Sequence, residues 1–249
     1  RSPRGLGRMD RNSRRWEAFG APDPLPSDDV YAVAVDDRFA WVGTARGLAR
    51  WDKLGKRWES FDQGQGPGSN PVYDVLSLGR TVWFASQQAV YRFDRQTGEW
   101  RTYGPAEGLT VGPVTEMLKL GESLWLLGSE GLARFDLRSS AINVFDEDDG
   151  LPSPLVTAFA QVAGEIWIGT DRGLVVYQPG SDAISKFLYE KGMPAGEVVG
   201  IEVAMPYVWV ATDQGLGRFN TMTRVWEEKR EEDGLHPGAI LGTALSGSL

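Results

Sequence analysis

Trp41-Val-Gly-Thr-Ala-Arg-Gly-Leu-Ala-Arg-Trp-Asp52 is the stretch from which the fold is read. The pattern returns at residues 83–94, 125–136, 167–178 and 209–220, so that Trp41, Trp83, Trp125, Trp167 and Trp209 stand 42 residues apart each time. A period of about 40 to 45 residues, with several short β-type runs in each repeat, is the signature of a propeller. Each repeat of such a fold buries its faces only against its neighbours, which argues for one domain over residues 1–249.

Other positions keep phase with the tryptophans. A glycine falls at Gly47, Gly131, Gly173 and Gly215, with Ala89 the exception, and an aromatic residue at Trp51, Phe93, Phe135, Tyr177 and Phe219. A loop glycine (Gly66, Gly108, Gly150, Gly192, Gly234) precedes Val72, Val114, Val156, Val198 and Ile240 in phase. Each period therefore reads as four short strands, such as residues 72–78, 81–86, 89–93 and 99–103, with glycine-bearing or polar turns between them. No stretch suits a substantial helix.

The expected class is all-β, a six-bladed propeller of 42-residue, four-stranded blades. Residues 4–19 match residues 46–61, so the N-terminus supplies third and fourth strands. A loop and a first strand near the C-terminus complete a sixth blade, shared by residues 1–19 and 235–249. Six periods account for the 249 residues to within three. Sharing a blade between the termini removes the free sheet edges that invite aggregation.

Bulk composition excludes several functions. Lys and Arg total 26 against 34 Asp and Glu, a formal charge of −8 that does not suit phosphate-backbone binding. The chain has no cysteine, which removes disulfides, thiolate metal sites and cysteine nucleophiles. No apolar run approaches the length of a membrane helix, so direct membrane insertion is not expected. The only histidine is His236, which leaves no His-rich metal site. There is no Gly-x-Ser-x-Gly elbow, no phosphate-binding loop and no EF-hand loop. No catalytic residue, metal ligand set or cofactor is assigned.

The phrase Trp-Val/Ile-Gly-Thr-x-x-Gly-Leu-x-x-aromatic-Asp, preceded by Gly150-Leu-Pro-Ser153 and Val156 in its clearest copy, resembles the two-component regulator propeller repeat. The likeness runs over essentially the whole chain. Such repeats build extracytoplasmic sensor regions of bacterial hybrid sensors, are associated with carbohydrate sensing, and also occur in free-standing propellers. The resemblance implies a periplasmic or extracellular, non-enzymatic sensing or recognition domain, and it brings no catalytic residues with it. Two departures stand out: six repeats in place of the usual paired larger rings, and no immunoglobulin-like linker, membrane span or kinase within these residues. A protein-interaction scaffold, and a propeller lyase or hydrolase akin to the streptogramin lyase-like rings, are the alternatives.

Repeated residues read as scaffold and variable ones as recognition. The in-phase tryptophans belong between sheets. Arg8, Arg50, Arg92, Arg134 and Arg218 share a phase and read as structural ion pairs, with Asp10, Asp52, Asp94 and Asp136 as candidate partners or turn formers. The last residue before each turn glycine varies in charge: Arg4, Arg46, Gln88, Glu130, Arg172 and Gln214. That ring, with Asp171 and Asp213 beside it, suits a polar ligand such as a saccharide or carboxylate. In the first strands, Asp74 and Glu116 occupy a phase held elsewhere by Ala32, Ala158, Gly200 and Gly242. They could hold a divalent cation through oxygen ligands or line a water-filled channel. Tyr31 and Tyr73, one position earlier, could stack or donate near the same mouth, or pack between blades. The expected partner is a small polar ligand or another protein, not a nucleic acid.

Overall fold

The computed structural model describes residues 5–21, 24–61, 66–68, 70–179, 183–187 and 193–229. Strands β1 (Leu6–Met9) and β2 (Trp16–Phe19) form an antiparallel hairpin. Five four-stranded sheets follow. The first holds β3 (Val30–Val35), β4 (Phe39–Thr44), β5 (Gly47–Asp52) and β6 (Arg57–Phe61). Next come β7 (Val72–Leu78), β8 (Thr81–Ser86), β9 (Val90–Asp94) and β10 (Trp100–Tyr103). The third contains β11 (Val114–Leu120), β12 (Ser123–Gly128), β13 (Gly131–Asp136) and β14 (Ile142–Phe145). Then follow β15 (Val156–Val162), β16 (Glu165–Thr170), β17 (Gly173–Gln178) and β18 (Ala183–Phe187). The last has β19 (Val198–Ala204), β20 (Tyr207–Thr212), β21 (Gly215–Asn220) and β22 (Val225–Lys229).

These are the four-stranded antiparallel repeats that the period requires, with boundaries within a residue of those read from the sequence in the second repeat. Among the described residues the only helical turn is Pro105–Glu107. The hairpin β1–β2 falls at the sequence positions read as third and fourth strands and stands as a two-stranded sheet. Residues 235–249, expected to complete its blade, lie outside the described residues, as do Arg4 and His236.

The chain falls into two compact units. One holds β1–β10, the other β15–β22, and the residues of β11–β14 are divided between them. In the first unit Trp41, fully buried, is wedged against the next sheet, its ring centroid 5.3 Å from Phe84 and 5.6 Å from Phe93. In the second, Trp167 sits 5.2 Å from Phe219 and 6.0 Å from Trp226. Trp41, Trp83, Trp125 and Trp167 are all buried, as packing between sheets demands. Trp209 is only partly buried. It lies in the last described sheet, where the Arg218 guanidinium covers it at 5.6 Å.

The in-phase acids close turns. Asp52 accepts the amides of Leu54 and Gly55, Asp94 those of Gln96 and Thr97, and Asp136 those of Arg138 and Ser139. Short side chains after a strand favour this Asx geometry, and Asn220 does the same for Met222 and Thr223. The in-phase arginines pair differently from the sequence expectation. Arg8, Arg50 and Arg218 bind Glu17, Glu59 and Glu227. The antiparallel register sets each of these glutamates directly opposite its arginine on the fourth strand. Asp52 and Asp94 instead pair with Arg38 and Arg80, from the turns between first and second strands.

Candidate functional site

A β-bulge recurs near the start of the first strands. The register shifts between Val30 and Ala32, Val72 and Asp74, Val156 and Ala158, and Val198 and Gly200. The residue left without a ladder partner is Tyr31, Tyr73, Thr157 or Val199 in turn. A bulge bends its strand and re-aims the extra side chain. In the first unit it brings Tyr31 and Tyr73 from adjacent sheets into a stack, with ring centroids 5.6 Å apart and planes 29° from parallel. Tyr31 remains 51% exposed, so the stack presents an aromatic face to solvent.

Asp74 follows Tyr73 directly in sequence, and Glu116, in the same phase on β11, interacts with Asp74. One Asp74 oxygen accepts the Val75 amide at 2.7 Å and the other the Met117 amide at 2.8 Å, which ties β7 to β11. Burial raises the Asp74 pKa despite those two amides. Glu116 is open to solvent on one side, yet the protein crowded round it raises its pKa, and the Asp74 charge adds to the rise. No arginine or lysine among the described residues neutralises Glu116. A hard cation takes six or more oxygens, and the described residues contain no group of three or more metal-ligating side chains. Asp74 is turned to backbone amides, which leaves this cluster suited to accepting hydrogen bonds from hydroxyl groups.

The variable tips are held by a device that the sequence does not advertise. The Thr44 hydroxyl donates to the Gly47 carbonyl at 2.9 Å and accepts the Arg46 amide at 3.2 Å. Ser86 does the same for Ala89 and Gln88, Thr170 for Gly173 and Arg172, and Thr212 for Gly215 and Gln214. A hydroxyl that bonds to neighbouring backbone fixes the turn by itself. Gly47 takes φ of 118°, and a Cβ there would meet the Gly68 carbonyl oxygen at 2.4 Å, so glycine is a backbone requirement at this tip. Arg46, Gln88, Glu130, Arg172 and Gln214 are all exposed at these tips.

In the first unit, Gln88 accepts from Asn70 at 3.4 Å. In the second, Arg172 pairs with Glu147 of the loop between β14 and β15 at 3.1 Å, across largely exposed side chains. Asp213 accepts the Glu197 amide at 2.9 Å and acts as a loop brace. Asp171 keeps one carboxylate oxygen buried with no donor. The site residues thus form two sets: Tyr31, Tyr73, Asp74, Glu116, Arg46 and Gln88 in the first unit, and Glu130, Asp171, Arg172, Asp213 and Gln214 in the second. Sequence reasoning missed the bulges. Their trace is a spacing of three between buried strand residues, as in Val72 and Val75 or Val156 and Phe159, where a regular strand would give two.

Neither a family model nor a curated protein sequence matches the chain. Solved structures do. The extracellular domain of BT4673 from B. thetaiotaomicron, described as a hybrid two-component system, superposes with a TM-score of 0.72 at 14% identity, over 96% of this chain and 35% of that one. The extracellular domain of BT3049 from the same organism, described likewise, gives a TM-score of 0.65 at 16% identity, over 95% of this chain and 34% of that one. This chain has their fold. PorZ, a bacterial surface component of the type-IX secretion system of Porphyromonas gingivalis, gives 0.58 at 15% identity over 86% of this chain and 35% of that one. The chain thus spans about a third of the length of these structures. No helix among the described residues is long and apolar enough to cross a membrane.

Proposed function

We propose that the chain is a non-enzymatic recognition propeller of six blades, the last shared by its two ends. It works outside the cytoplasm and senses a carbohydrate or similar polyhydroxylated ligand. The observation that carries this reading is the solvent-facing Tyr31–Tyr73 stack, with Asp74 next to Tyr73 in the chain and Glu116 interacting with Asp74. Flat aromatic faces suit the apolar side of a sugar ring, and carboxylates accept strong hydrogen bonds from its hydroxyls. Arg46 and Gln88 extend the surface in the first unit, and Glu130, Asp171, Arg172, Asp213 and Gln214 are the corresponding positions in the second. The extracellular sensor domains that share the fold support both the sensing role and the location.

Calorimetric titration with a panel of neutral oligosaccharides tests the reading. One or more should bind saturably, and Tyr73→Ala should weaken that binding at least tenfold. No saturable binding across the panel, or binding indifferent to Tyr73→Ala, would remove this function.

A further inference from the structure

Two third-strand arginines depart from the arginine–glutamate pairing: Arg134 donates to the Tyr177 hydroxyl instead, and Arg92 lies in the sheet β7–β10. Where Arg8, Arg50 and Arg218 each face a glutamate, the register sets Arg101 of β10 directly opposite Arg92 of β9. Like charges directly opposite each other on neighbouring strands repel, and arginine does not shed its proton to escape. Neither side chain makes a hydrogen bond or ion pair with any described residue. Together with Arg80, Asp94 and Glu99 they line a cleft of about 290 Å³ at the β10 edge of the sheet.

The acids in the cleft do not relieve the arginine pair. Asp94 is bonded through both oxygens to Arg80 Nε, at 2.9 and 2.8 Å, and through one of them to two turn amides. Glu99 is exposed at the cleft and acts on Arg80, without an ion pair to Arg92 or Arg101. Two guanidinium forks are thus left without an acceptor, on a chain whose overall charge is −8. A planar monoanion would satisfy one fork. A tetrahedral dianion presents acceptors to both and matches their charge, and arginine binds such groups in bidentate fashion.

We propose that this cleft is an oxyanion site for sulfate or phosphate, free or ester-linked, held by Arg92 and Arg101. It lies apart from the stacked tyrosines and does not depend on their role.

The test is calorimetry on the whole chain with sodium sulfate, sodium phosphate, glucose 6-sulfate and glucose 6-phosphate, at ionic strength held constant with chloride. At least one of these should bind saturably at one site, and the ester arms show whether a sugar-linked anion is accepted. Arg101→Glu recreates the cross-strand pair seen at Arg8, Arg50 and Arg218, so it should fold while losing at least tenfold in affinity. Arg101→Gln should also weaken binding, and Glu99→Gln should tighten it several-fold by removing a competing acid. The absence of saturable binding to all four anions, or equal binding by wild type and Arg101→Glu, overturns the proposal.

Discussion

Trp41→Ala measures how firmly one repeat is locked to the next. The indole is fully buried and lies against Phe39, Phe61, Phe84 and Phe93. A tryptophan removes about 150–250 Å² from water, which at ~25 cal/mol per Å² is worth roughly 4–6 kcal/mol. One term opposes it. Trp83 Nε1 donates to Thr81 at 3.1 Å and Trp167 Nε1 to Glu165 at 3.4 Å, but position 39 is phenylalanine, and Trp41 Nε1 is buried without an acceptor. Deleting the indole relieves that desolvation, about 1–3 kcal/mol. The expected net loss is therefore about 3 kcal/mol, within the range for emptying a large aromatic site. Urea unfolding followed by far-ultraviolet circular dichroism would read it, with Trp209→Ala, at a partly buried position, costing clearly less. A loss below ~1 kcal/mol for Trp41→Ala, or equal losses for the two variants, would refute the wedge between sheets.

Further expectations follow from individual contacts. Gly128 stands where other repeats have Thr or Ser, yet a Cβ there would lie 2.0 Å from the Val111 carbonyl oxygen. Gly128→Thr, although it restores the repeat, should lower stability by ~1–3 kcal/mol through overpacking, and unchanged thermal unfolding would contradict that geometry. Asp52 and Asp94 are held down to about 2, by Arg38 and Arg80 respectively. Their contribution is complete above the unfolded value of 3.8 and disappears as pH falls toward about 2. Asp52→Asn and Asp94→Asn should flatten the acid limb of a stability–pH profile over that interval. Glu116 has the opposite sign: its raised pKa disfavours folding above the folded-state value and is without effect once pH drops below 4.5. Glu116→Gln should raise the unfolding temperature at pH 7 and leave it unchanged at pH 4; no difference at pH 7 would show that the carboxyl is not crowded.

How far the chain was legible depends on which interactions repeat. The tryptophan period and the turn glycines placed the strands because each repeat meets the same packing problem. The Asx turns were legible for the same reason, since Asp52, Asp94 and Asp136 each follow a strand directly. The arginine partners were not. Sequence proximity pointed to the aspartates two residues on, whereas antiparallel register reaches glutamates nine residues away. The stacked tyrosines were named as candidates, but the bulge that turns them toward each other is a matter of ladder register, carried by four different residues. The orphaned Trp41 N–H also escaped notice, because Phe39 looks harmless until the indole beside it is seen to need an acceptor.

The hydroxyl clamp at Thr44, Ser86, Thr170 and Thr212 bears on how such a chain can change. Each clamp ties a strand-end hydroxyl to main-chain atoms of its loop, so the side chain at the tip has no part in the clamp. Residues 46, 88, 172 and 214 are therefore free to drift, one at a time, without loosening the scaffold beneath them. A lineage, or an engineer with a small combinatorial library, could retune what the surface prefers while the barrier to unfolding stays where it was.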